Sequence, residues 1–226
     1  MRMQTLALAG AVLAASGAHA GIQFKANGGA AQSIGAFDFS DGASAAFAAG
    51  GDRFSHAVLG AIHDELVGLG ATTNGKLTFV AGETTEGLAM FALFDQETGG
   101  QANRNVARST FSYSGAGTGF QNEGGELGGD DAGTFAWWAN GRGDAFAATG
   151  ISNDFSDSFT IGDFTGELSG ASGVQVLSRN ADGTLEVIEL ANFFGNGGNF
   201  AFAVPVPAAG ALAGVGLLGV AVRRRR

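Results

Sequence analysis

The 226-residue chain holds 40 glycines, 19 phenylalanines, two prolines and no cysteine, and its formal net charge is −9. Without cysteine there are no disulfides, no thiolate-held metal and no thiol chemistry, so packing alone must stabilise the fold. All 21 acidic residues and seven of the 12 basic ones lie between the two termini, a net charge of −14 that repels nucleic acid and anionic lipid.

The chain begins MRMQTLALAGAVLAASGAHA. Arg2 gives a positive start, Thr5 to Ala15 an apolar stretch, and Ala18-His19-Ala20 a small-residue exit. This is the build of a secretory signal, with cleavage expected between Ala20 and Gly21. The run is too short and too Ala-rich to span a bilayer well. Residues 1–20 therefore read as a signal peptide and residues 21–203 as one exported domain.

Within that domain, RFSHAVLGAIHDELVGLG places Val58, Ile62, Leu66 and Leu69 at helical spacing, which predicts one helix from Ser55 to Leu69 with Asp52 as a cap. The rest alternates with a period of two. Lys76 to Ala81 predicts a strand, residues 82–87 a polar turn, and LAMFALFD (Leu88 to Asp95) a returning strand, apolar on both faces and so central. Ser109 to Ser114 puts Phe111 and Tyr113 on one face. Thr134 to Ala139 and DAFAATG flank Asn140-Gly141-Arg142-Gly143, which predicts a hairpin because Asn-Gly tolerates positive φ. VQVLS and TLEVIEL flank residues 179–183 as another hairpin, and NFAFAV closes the domain. Phe lacks a polar handle and fills interiors, while glycine supplies turns. The expected fold is all-β: an antiparallel two-sheet sandwich, jelly-roll-like, with one short helix.

Few residues suggest chemistry. His56 and His63 share a helical face beside Asp64 and Glu65, but a metal needs i, i+4 spacing or a further donor, so this reads as a polar helix face. There is no nucleophile elbow, and GAGTG (Gly115 to Gly119) lacks the Lys-Ser/Thr end of a phosphate loop. Gly124 to Asp131 and Asn180 to Glu186 carry acids on glycine loops without the spacing of a calcium loop, and both read as solvated turns. Arg142-Gly143-Asp144 completes a turn. No cofactor, metal or catalytic group is expected, and the chain reads as a non-enzyme. Adjacent Trp137 and Trp138 point to opposite faces of a strand, so one indole can serve as a platform for a sugar ring, with Tyr113 as a further candidate glycan contact.

The C-terminus reads VPVPAAGALAGVGLLGVAVRRRR. Val204-Pro205-Val206-Pro207 holds both prolines of the chain and should be extended and exposed. The 19 residues from Val204 to Val222 are apolar, barely enough to cross a bilayer as a helix, and Arg223, Arg224, Arg225 and Arg226 form a basic stop that stays on the cytoplasmic side. At these residues the chain resembles the PEP-CTERM sorting signal, with Pro205-Val206-Pro207 in place of Pro-Glu-Pro, as in planctomycete-like tails. The resemblance covers residues 204–226. It implies that an exosortase-type membrane enzyme recognises the tail and that the precursor is membrane-anchored through a transmembrane helix. The exported product then joins the cell envelope or extracellular matrix, in association with exopolysaccharide. A structural or adhesive role is the first expectation and a secreted carbohydrate-binding module the alternative; a secreted hydrolase has no carboxylate pair to support it.

Overall fold

The structure, a computed structural model, describes residues 21–39, 56–73, 75–85, 87–94, 107–121, 127–128, 132–137, 144–162 and 173–205. Two seven-stranded layers stack face to face. The first runs β2 (Gln32–Gly35), β1 (Gly21–Ala26), β14 (Asn199–Ala203), β11 (Asp157–Ile161), β6 (Ala107–Ser114), β9 (Ala132–Trp137) and β8 (Leu127–Gly128), antiparallel throughout. The second runs β13 (Leu185–Glu189), β12 (Gly173–Arg179), β4 (Lys76–Thr84), β5 (Gly87–Phe94), β10 (Asp144–Thr149) and β7 (Thr118–Gln121), with β3 (Phe37–Asp38) beside β4.

This is the expected sandwich with one helix, but its second sheet is mixed. β4 runs parallel to β12 over Lys76–Val80 and parallel to β3 at Gly82 and Glu83. Polar side chains pin the β4–β12 pairing: Gln175 Nε2 donates to Thr78 Oγ1 (3.0 Å) and to the Thr72 carbonyl (2.9 Å), and Lys76 Nζ donates to Gln175 Oε1 (3.0 Å). The two flanking hairpins are present. β4 and β5 pair from Leu77↔Phe94 to Thr84↔Gly87, so the turn is tighter than residues 82–87. β12 and β13 pair from Gln175↔Glu189 to Arg179↔Leu185.

The Asn140-Gly141 hairpin is a correction. β9 pairs with β6 and β8 in the first sheet, whereas β10 pairs with β5 and β7 in the second. The connection carries the chain between layers rather than reversing it within one. Its residues, 138–143, lie outside the described ones.

Alternation explains the layers. Phe24, Phe79, Phe94, Phe159, Phe200 and Phe202 point between the sheets and are fully buried. Phe79 stacks on Phe200 with ring centroids 3.9 Å apart, and Phe111 on Phe146 at 3.7 Å. The second sheet is also buried on its outer face. There Phe91, Leu93, Val80 and Leu177 meet Phe37, Phe39 and the helix α1 (His56–Gly68) through Ile62 and Leu66. β5 is thus apolar on both faces because both faces are covered. Among the described residues, no helix is long and apolar enough to cross a membrane.

The pairing also defines two poles. β1 and β14 are neighbours with Gln23↔Ala203 in register, so Gly21 and Pro205 lie abreast where the chain enters and leaves the sandwich. The β12–β13 turn shares this exit pole, since the Gly35 N–H donates to Ser178 Oγ across the layers (3.0 Å). Ala26, Asn27 and residues 190–199 lie at the opposite pole.

Candidate functional site

The exit pole is built around one buried acid. Asp157 opens β11 on its inward side, in line with Phe159 and Ile161, and none of its surface is exposed. Its Oδ1 accepts a hydrogen bond from Tyr113 Oη (2.5 Å) and a long one from the Gly117 N–H (3.4 Å), while Oδ2 accepts from the Ser152 N–H (2.6 Å). Burial by itself raises the carboxyl's pKa. Hydrogen bonds from the Ser152 side chain, the Tyr113 hydroxyl and the Ser152 and Gly117 N–H groups outweigh it and hold the group below the ordinary aspartate range. Asp157 is therefore a carboxylate at neutral pH and ties three segments together.

Two glycines permit this approach. A Cβ on Gly115 would sit 1.9 Å from Asp157 Oδ1, and one on Gly117 would sit 2.2 Å from the Thr149 carbonyl. GAGTG is a turn, as its composition predicts, but a turn shaped to admit a carboxylate.

The knot holds the end of the domain. Ser152 gives its N–H to Asp157 and its carbonyl to the Val204 N–H, 2.8 Å away. β14 is flanked by β1 and β11, so Ala203 is buried, Val204 is half-buried and Pro205 is exposed. Beside the knot, Phe155 takes a positive φ of 62°, unusual for a bulky residue, and its ring lies under Lys25 Nζ at 4.1 Å from the centroid.

Of the residues singled out from the sequence, Gly21 is the first of β1, abreast of Pro205. Ala20, Val206, Pro207 and Arg223 to Arg226 lie outside the described residues, as does Trp138. Trp137 ends β9 opposite Ala107, its side chain outside the described set. Tyr113 is corrected as a glycan contact: it is 5 % exposed, its ring packs on Phe159 and its hydroxyl is committed to Asp157. The turn at Asn180–Glu186 is closed by Asp182, whose carboxylate takes hydrogen bonds from the Thr184 N–H (3.0 Å) and hydroxyl (2.6 Å).

No sequence motif singles out Asp157 or Ser152, and Gly117 is marked only as part of the GAGTG turn. Asp157-Ser158-Phe159-Thr160-Ile161 alternates with the acid on the apolar side, and an inward acid requires partners. That was the available signal.

Two further surfaces stand out. At the opposite pole an open cleft of about 480 Å³ is lined by Asn27, Glu189, Leu190, Phe193 and Asn196, but the Asn27 side chain is committed to the Phe193 carbonyl and the Asn199 N–H. The outer face of the first sheet carries Gln23, Lys25, Thr110, Ser112, Ser114, Ser158, Thr160 and Asn199. The described strands of that sheet contain one acid, the buried Asp157.

No family model, curated protein or solved structure matches this chain.

Proposed function

We propose that this is an exported, non-enzymatic protein of the cell envelope or extracellular matrix, delivered through its C-terminal tail and structural or adhesive in role. The observation that carries the reading is how the last strand is held and where the chain becomes exposed after it. β14 is flanked on both sides, Val204 is held by Ser152, and Pro205 is the first exposed residue of the sorting-like motif. A processing enzyme of the exosortase type would meet the motif at an exposed Pro205, directly against a rigid domain. The leader and the tail bracket this domain, which suits export followed by sorting.

The test is cell fractionation with mass spectrometry of both termini of the mature protein. The expected product starts at Gly21, lies outside the cytoplasm and has lost residues beyond the Pro205-Val206-Pro207 motif. Native protein in the cytosol with both ends intact refutes the proposal.

A carbohydrate-binding role is the second reading, favoured by the outer face of the first sheet. In its described strands, hydroxyl and amide groups form a face without outward carboxylates on an acidic protein, which suits contact with a polysaccharide chain. A glycan panel on residues 21–205 decides it. Binding lost in Ser158→Glu or Thr160→Glu but kept in Trp137→Ala/Trp138→Ala assigns the ligand to this face. The reverse pattern assigns it to the tryptophans.

A further inference from the structure

We infer that the exit pole is the lipid-facing surface of the precursor, seated on uncharged or zwitterionic headgroups, with the cleft pole directed away from the bilayer. The inference rests on the reading of the tail as a membrane segment and adds the orientation of the domain upon it.

Reach sets how close the domain lies to the bilayer. Pro205 is the first exposed residue after Val204, which Ser152 holds, and only Val206 and Pro207 separate it from Ala208, where an unbroken run of Ala, Gly, Leu and Val begins. The three residue steps from Pro205 to Ala208 span at most about 11 Å. The headgroup layer on one side of a bilayer is roughly 5–8 Å deep. Once the apolar run enters the hydrocarbon, the residues around Pro205 are held within a few ångströms of the headgroups.

Orientation follows because the exit is rigid. Val204 is hydrogen-bonded to Ser152, and β14 cannot swing without leaving β1 and β11. β1 begins abreast of Pro205, so a leader still in the membrane would emerge through the same surface. Signal cleavage then requires no rotation of the domain.

The chemistry of the pole selects the lipid. Its described turns, residues 84–85, 115–117, 150–156 and 180–184, are rich in Gly, Ser, Thr, Asn and Ala; Asp38 and Glu83 are register partners beside the β4–β5 turn, and the turns themselves add Asp154 and Asp182. Both are fully exposed and titrate below the ordinary aspartate range, held by hydrogen bonds from Ser156 and from Thr184, so both stay anionic. An anionic lipid would be repelled, while a choline or ethanolamine headgroup offers a cation to each.

The absence of cysteine makes the test direct, because one introduced cysteine gives one labelling site. Full-length chain is reconstituted in phosphatidylcholine vesicles with a fluorophore at Asn153→Cys on the exit pole or Asn196→Cys at the cleft; both positions are exposed. Ala181→Cys and Ala191→Cys, also exposed, repeat the comparison should either variant misfold. Headgroup-nitroxide lipid should quench the exit-pole label several-fold more than the cleft-pole label. A flexible Gly/Ser insert between Pro207 and Ala208 should abolish the difference while leaving vesicle binding intact. Vesicle-bound protein with equal quenching at the two poles, or quenching that the insert leaves unchanged, overturns the orientation alone. Chain that does not float with vesicles overturns the membrane reading of the tail and the inference with it.

Discussion

Asp157 is a charge placed where a sandwich normally holds an apolar side chain, and its surroundings make it an anchor. Deleting the carboxylate in Asp157→Ala strands the Tyr113 hydroxyl and the Ser152 N–H, and should lower stability by about 3 kcal/mol. Tyr113→Phe removes one partner and should cost roughly 1–2 kcal/mol. Urea unfolding of residues 21–205 measures both. The acid also sets a pH dependence. Its folded pKa lies below the unfolded one, so its stabilisation is complete above the unfolded value of about 3.9 and disappears as pH falls through the folded value. Tm measured from pH 6 downward should drop on the acid side, and Asp157→Asn should flatten part of that drop. Gly35 is a second exacting position. A Cβ there would stand 1.9 Å from the Arg179 carbonyl of the facing layer, a backbone atom that cannot move alone. Gly35→Ala should therefore destabilise by about 2 kcal/mol or more, although alanine is a small side chain.

At the scale of the element, legibility in the sequence followed burial. LAMFALFD was readable as a central strand because both of its faces are covered, by the first sheet and by α1. The helix was readable because Ile62 and Leu66 repeat at helical spacing, and both are fully buried. β11 was not readable, because the acid at its head interrupts an alternation only three residues long on its inward face. Nor was the partition of β9 and β10 into separate layers. Asn-Gly signals a change of direction, but which sheet receives the chain depends on contacts distant in sequence. The parallel pairing of β4 with β12 has the same origin, since Val176 and Phe79 are brought into register by a layer neither segment encodes alone. The site divides likewise. Pro205 stood out by composition, whereas the Ser152–Asp157–Tyr113 knot behind it required three separate segments to meet.

For the molecule as a whole, phenylalanine replaces the missing disulfides. Phe79 lies at the centre of this packing, stacked on Phe200 and in contact with Phe159 and Phe193. Phe79→Ala should cost about 3–5 kcal/mol, and a calorimetric Tm close to that of the parent would argue against a core organised around it. The placement of the first and last strands has a separate consequence for engineering. Because β1 and β14 run side by side with their outer tips level, a few glycines and serines would splice residue 205 to residue 21 and close the backbone into a circle. The native packing would be unstrained, while the denatured polypeptide would forfeit much of its freedom, a gain of up to ~5 kcal/mol. Such a circular version should melt higher than its linear parent and offer exopeptidases nothing to grip.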